Sequence, residues 1–214
     1  MTEQEFEEIL GLGHEINGVE FKGPGIRSDK PFFARVVRAI LGMANRRDGG
    51  LVIIGVEENN IGEYKLEPVG LTDEQLATWS NYDALSGAVN QYARPSVSFD
   101  LEAPFLYNSM RFVVIEVNEF DQIPILCSKD SGTRISTDQI LRKGACYVRS
   151  RHKPETSEIP SEEEMRELLE LATDKGVMRF LARAEKAGLY RSIPSPPTSP
   201  SDRELFRDQI EDMG

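Results

Sequence analysis

The segment that most constrains the fold is the continuous apolar run LVIIGV at residues 51–56. A run without polar alternation is typical of a strand that is buried on both faces. It follows residues 29–44, where apolar side chains recur at helical spacing after an Asp29 cap. The segment GVEFKG at 18–23 predicts a further strand. Together these segments predict a strand–helix–strand unit with parallel strands and a right-handed crossover.

The remaining segments extend this unit to an α/β fold. Residues 3–10 and 72–92 have helical patterns, and strands are predicted at 97–101, 112–120 and 144–150. We expect a mixed sheet of about five or six strands with helices packed on it. The predicted organisation is a domain at 1–158, a charged helical extension at 159–191, and a Pro/Ser-rich linker with an acidic tail at 192–214.

The distribution of charge bears on the choice of partner. The net charge of −11 disfavours nucleic acid, because binding to phosphates needs lysine and arginine. However, residues 22–47 carry seven basic side chains against one acid, and residues 129–153 carry seven against two. The acidic surplus lies mostly at the two ends of the chain. Each basic cluster is either a phosphate-binding surface or an ordinary solvated surface.

The cellular compartment of the protein and the redox state of its cysteines are predicted from the apolar runs, the N-terminus and the number of cysteines. The sequence contains no run of about 18 apolar residues, so no membrane span is predicted. The acidic N-terminus does not have the pattern of a secretory signal. Cys127 and Cys146 are too few for a disulfide framework and have no metal-binding spacing. We expect buried free thiols and a cytoplasmic protein.

Three spaced blocks resemble the Schlafen/AlbA-like domain family: HEINGVEFKG at 14–23, AILGMANRRDGGLVIIGVEENNI at 39–61, and GACYVRSRHKPETSEI at 144–159. The resemblance covers roughly residues 8–160 and implies an α/β domain that binds nucleic acid. For the Schlafen branch it implies a metal-dependent endoribonuclease of structured RNA similar to transfer RNA. The three carboxylates of that activity carry over to Glu15, Glu20 and Glu58.

The chemistry of such a carboxylate set can be stated in general terms. Three clustered carboxylates repel one another at neutral pH, so they need protonation or a cation. Mg²⁺ or Mn²⁺ suits an all-oxygen site and can activate water against a phosphate. Lys22 lies two residues after Glu20 and therefore on the same strand face. It is either a catalytic partner that stabilises the transition state or an ion-pair partner for Glu20.

A second set of residues is predicted to contact nucleic acid. Arg46 and Arg47 precede the Gly49-Gly50 turn, which is also an ordinary helix stop. Tyr147 and Arg149 share a face of the last predicted strand, where the tyrosine either stacks on a base or is half-buried. The basic strip then continues with Arg151 and Lys153.

The predicted function is metal-dependent cleavage of RNA. The alternative is a non-catalytic DNA-, RNA- or nucleotide-binding regulatory module of the same fold, and a third option is a protein-interaction domain whose acidic face binds a basic partner. The resemblance also suggests a homodimer, because Schlafen cores carry two such lobes. The acidic C-terminal segments are expected to contact a partner or to restrict access to the groove.

Overall fold

A computed structural model describes residues 1–12, 18–59, 65–131, 139–149, 156–159 and 161–189. Its helices are α1 (Glu3–Gly11), α2 (Lys30–Ala44), α3 (Asp73–Ala77), α4 (Tyr82–Asn90) and α5 (Glu162–Lys186). Its strands are β1 (Val19–Lys22), β2 (Gly50–Ile54), β3 (Val56–Asn59), β4 (Lys65–Pro68), β5 (Ala93–Arg94), β6 (Phe99–Tyr107), β7 (Met110–Val117), β8 (Leu126–Cys127), β9 (Tyr147–Arg149) and β10 (Thr156–Glu158). No helix in the described ranges is long and apolar enough to cross a membrane.

The central sheet is mixed, and its strand order is β1-β2-β7-β6. Strands β1 and β2 are parallel and are joined by α2, with Glu20 opposite Val52, which confirms the predicted strand–helix–strand unit. The other two pairings in the sheet are antiparallel. The α/β class is confirmed. The central sheet has four strands, and the other described strands form the two-stranded pairs β3–β4, β5–β8 and β9–β10.

Helix α2 forms because its start and its apolar pattern agree. The Asp29 side chain accepts a hydrogen bond from the Phe32 amide at 3.2 Å, and Pro31 lies in the first turn. The C-terminal half of the helix is almost completely buried. At Gly42, an added Cβ would lie 2.5 Å from Thr156 Cγ2, so the absent side chain lets β10 approach the helix closely.

The sheet is covered on both faces. On one face α2 packs in the larger core, which contains the buried Trp79. On the other face Phe6 of α1 packs in a smaller core, with its ring centroid 5.0 Å from that of Phe112. The single helix predicted for residues 72–92 is two helices. Asn81 starts α4, because its side chain accepts from the Ala84 amide at 2.9 Å.

The Gly49-Gly50 pair has a packing explanation. Gly49 has a φ of +67°, and a Cβ there would lie 1.9 Å from the Val117 carbonyl oxygen. A Cβ on Gly50 would lie 2.8 Å from the Gly18 carbonyl oxygen. Both glycines are therefore required by the close approach of neighbouring backbone where β2 begins.

The chain divides into a compact unit at Met1–Lys175 and a second unit at Gly176–Gly214. Leu168 and Leu171, in the first half of α5, are buried in the larger core of the first unit. The predicted domain boundary at residue 158 stays a prediction.

Candidate functional site

Glu20 lies on strand β1 and is held by the β9–β10 hairpin. Its Oε2 accepts hydrogen bonds from Arg149 Nη1 at 2.9 Å and from the Thr156 hydroxyl at 2.5 Å. Its Oε1 accepts from Lys22 Nζ at 2.6 Å. The side chains of Glu20 and Arg149 are only 8% and 1% exposed. The carboxylate is therefore buried, and both of its oxygens are bonded to cationic or hydroxyl donors.

The same two cations also bond the backbone of β1. Arg149 Nη2 donates to the Val19 carbonyl at 2.8 Å, and Lys22 Nζ donates to the Phe21 carbonyl at 2.9 Å. The carbonyls of Gly18 and Lys22 accept hydrogen bonds from the Leu51 and Gly55 amides at β2 and its end. The carbonyls of Val19 and Phe21 therefore point away from β2. Side chains thus satisfy the outward carbonyls of this sheet edge, which opposes pairing with another strand.

These contacts bear on the predicted metal site. Two cations neutralise Glu20, so its charge does not call for a metal ion. Glu58 is exposed on β3, opposite Leu66, and Glu15 lies outside the described residues. In the ranges that the structure describes, no three His, Cys, Asp or Glu side chains are grouped to hold a metal. Glu20 and Glu58 therefore do not by themselves form a metal site, and the site that includes Glu15 stays a prediction.

An acid that the sequence analysis did not select lies beside the end of β1. The Glu57 Cγ is 3.4 Å from the position that a Cβ would take on Gly23. Glu58 is the next residue in the strand, so its side chain points to the opposite face. Gly55, with a φ of +114°, separates β2 from β3. Counting alternate side chains along β3 from Gly55 is the sequence signal that places Glu57 and Glu58 on opposite faces of the strand.

Tyr147 is a core residue and not a surface platform for a base. It is 3% exposed, and its hydroxyl accepts from the Arg142 amide at 2.8 Å and donates to the Ile140 carbonyl at 3.3 Å. The Arg38 guanidinium lies 5.4 Å from the ring centroid. Burial raises the pKa of the phenol. Of the two predicted roles, the geometry favours packing over stacking, and buried Arg149 likewise is not placed to contact a phosphate.

Arg46 and Arg47 follow α2 and differ in their surroundings. Arg46 Nη1 donates to the carbonyls of Gly49 at 2.7 Å and Arg47 at 3.0 Å, so this side chain holds the turn. The Arg47 side chain is 55% exposed, and its Nη2 donates to Asp174 of α5 at 2.8 Å. This hydrogen bond raises the pKa of Arg47. Arg151 and Lys153 lie outside the described residues.

A cleft of about 220 Å³ lies between this turn, β9 and the first half of α5. Arg46 and Arg47 line it from the turn, and Glu164, Glu167 and Glu170 line it from α5. Opposite charges therefore face the same space. The acidic helix borders the arginines that the sequence analysis assigns to phosphate binding.

A second ion pair connects α5 to the loop after β7. Lys175 Nζ pairs with Glu119, whose other oxygen accepts from the Asp48 amide at 2.6 Å. Partial burial acts to raise the pKa of the Glu119 carboxyl, but the bonds from Lys175 and Asp48 outweigh it and lower the pKa. Glu119 is therefore ionised at neutral pH and joins α5 to the turn that carries Arg47.

These features define an α/β domain with an ion-paired sheet edge and a mixed-charge cleft beside exposed arginine. The profile of the family described as Schlafen, AlbA_2 matches residues 15–157. The chain belongs to the Schlafen AlbA_2 family.

Two solved structures are similar to the chain at low sequence identity. One is the DIP2311 protein of Corynebacterium diphtheriae, at 15% identity and a TM-score of 0.45, covering 76% of this chain and 27% of that one. The other is the N-terminal domain of a protein related to the ATP-dependent DNA helicase RecG from Nitrosomonas europaea, at 18% identity and a TM-score of 0.44, covering 76% and 98%. The chain thus spans about a quarter of the DIP2311 protein. No curated protein matches it in sequence.

Proposed function

We propose that this chain is a non-catalytic nucleic-acid-binding domain that contacts phosphates through Arg47, supported by Arg46. Membership of the Schlafen AlbA_2 family supports a link to nucleic acid. The observation that favours binding over cleavage is the environment of Glu20, whose charge is balanced by Lys22 and Arg149. In this proposal Glu20 is a structural anchor.

The exposure of Arg47 supports its role in this proposal. Its ion pair with Asp174 is more than half exposed on both sides, and exposed pairs contribute about 0–1 kcal/mol. A phosphate can therefore replace the carboxylate at little loss. We propose RNA over DNA as the ligand, and this preference rests on the resemblance to the Schlafen branch. Binding should weaken steeply with added salt.

Fluorescence anisotropy tests this proposal. A labelled RNA hairpin and a labelled DNA duplex are titrated with protein in EDTA at low salt, using wild type, Arg47→Glu and Lys65→Glu. Lys65 is a matched control, because its side chain is 71% exposed and lies on β4. Charge reversal at Arg47 should weaken binding about tenfold, as loss of about 1.4 kcal/mol predicts, and Lys65→Glu should not. If wild type binds neither probe, the proposal is wrong.

Metal-dependent cleavage of RNA is the second proposal, with Glu15, Glu20 and Glu58 as ligands of Mg²⁺ or Mn²⁺ and Lys22 as catalytic partner. The presence of another acid, Glu57, beside the end of β1 favours it. Labelled transfer RNA is incubated with each metal and with wild type, Glu15→Gln, Glu57→Ala or Glu58→Ala. Cutting by wild type that one of these substitutions abolishes would support the enzyme. Intact RNA would support the binding module.

The proposal also covers the cellular location, the oligomeric state and a protein partner. We propose a cytoplasmic location, a homodimer that supplies two lobes, and a protein partner for the acidic segment at 192–214, which lies outside the described residues. Analytical ultracentrifugation tests the dimer at the concentrations used for binding. A monomer that binds nucleic acid at full affinity would contradict it.

A further inference from the structure

The first half of α5 carries a row of acids beside the cleft. Glu167, Glu170 and Asp174 are separated by three and four residues, so they share one helix face, with a rise of about 4.5 Å and about 6 Å between them. Glu167 and Glu170 line the cleft, and Asp174 pairs with Arg47. We propose that this acidic row is a built-in competitor of nucleic acid, which occupies Arg47 through Asp174 until a polyanion displaces it. The inference rests on the proposed function.

Apolar packing holds the acidic row in place. Leu168 and Leu171, on the same half of α5, are buried in the larger core. Lys175 at its end pairs with Glu119. The helix therefore stays docked when the Arg47–Asp174 pair opens, and competition requires only that one side chain exchange its partner.

The charge pattern of the row fits this role. Like charges three or four residues apart destabilise an isolated helix. Placing the row across the cleft from Arg46 and Arg47 offsets this repulsion. A nucleic-acid strand presents a similar regular series of negative charges. A phosphate that reaches Arg47 must therefore displace Asp174 and lie beside Glu170.

The competition predicts tighter binding when the row is neutralised. The row variant is Glu167→Gln, Glu170→Gln and Asp174→Asn. The matched control is Glu7→Gln, Glu74→Gln and Asp100→Asn, which removes the same charges from exposed positions elsewhere. The probe is the labelled RNA hairpin at several salt concentrations, and thermal unfolding checks that each protein is folded.

We expect the row variant to bind about tenfold tighter than wild type at low salt, which corresponds to about 1.4 kcal/mol, because three carboxylates beside the phosphate-binding arginines are neutralised. The control triple should gain less than about threefold. The salt dependence of the row variant should steepen by about one phosphate contact. Asp174→Asn alone should bind about two- to fivefold tighter, and this gain should disappear in an Arg47→Ala background.

The outcomes of this binding experiment distinguish failure of the inference from failure of the proposed function. Wild-type binding that the row variant does not change, or an equal gain in both triples, would overturn the competitor and leave the binding domain intact. A gain by Asp174→Asn that persists without Arg47 would also overturn it. If wild type binds neither RNA nor DNA at low salt, the proposed function fails and the inference fails with it.

Discussion

Replacing Glu20 with alanine tests whether this carboxylate is a structural anchor. The substitution removes the Glu20 carboxylate from the Arg149 guanidinium, which is 1% exposed, and it removes an acceptor of the Thr156 hydroxyl. Removing one partner of a buried ion pair costs about 3–5 kcal/mol. At about 2–4 °C per kcal/mol for a chain of this size, Tm should fall by about 6–20 °C.

Urea denaturation in EDTA measures the effect, with the fluorescence of the single buried tryptophan, Trp79, as the probe. Glu58→Ala is the control. Glu58 is exposed on β3, so the free energy of unfolding should change by no more than about 0.5 kcal/mol. Glu20→Gln should give an intermediate loss, because the amide can still accept a hydrogen bond from Arg149 but cannot balance its charge.

The sign of the change distinguishes the two proposals for Glu20. In a cluster of repelling carboxylates without metal, removing one acid would stabilise the protein. In the ion-paired arrangement, removal destabilises it. A Glu20→Ala protein as stable as wild type in EDTA would therefore refute the anchor. Loss of activity in this variant would not by itself identify a catalytic residue, because the fold is altered.

Three further predictions concern packing and ionisation. Gly42→Ala should lower the free energy of unfolding by about 1–3 kcal/mol, because the new Cβ would clash with Thr156; an unchanged urea midpoint would contradict the close packing of helix and hairpin. Burial raises the pKa of Cys146 to about 11, so Ellman's reagent at pH 8 should label it in urea and not in the native protein; rapid native labelling would show an accessible thiolate. The pKa of Glu119 is lowered, so its stabilisation is complete above about pH 5 and is lost as pH falls through the lowered value. Glu119→Gln should therefore destabilise by about 1 kcal/mol at pH 7 and by less at pH 3, as denaturation at both pH values can establish.

The parts of the fold that the sequence predicts are those determined by local signals. The Asp29 cap, the apolar periodicity of α2 and the unbroken run in β2 lie within a few residues of one another. The environment of Glu20 depends on partners 129 and 136 residues away along the chain. No local pattern predicts that Arg149 and Thr156 meet this carboxylate.

The candidate site differs from the sequence prediction for similar reasons. Alternation along β9 predicts that Tyr147 and Arg149 share one face, but it does not reveal that every residue of the strand is buried. Which of Glu57 and Glu58 points towards the end of β1 depends on the break at Gly55, after which β3 pairs with β4. The role of Asp174 depends on the docking of α5, which composition alone describes as a charged extension.

The guanidinium of Arg149 bonds both a side chain and the backbone of β1, so the hairpin and the strand cannot separate without breaking three contacts together. These segments should therefore open as one cooperative unit in native-state hydrogen exchange, with a shared opening free energy. Residues 147–149, which are far from β1 in sequence, would then report on the integrity of the sheet edge as directly as the strand itself.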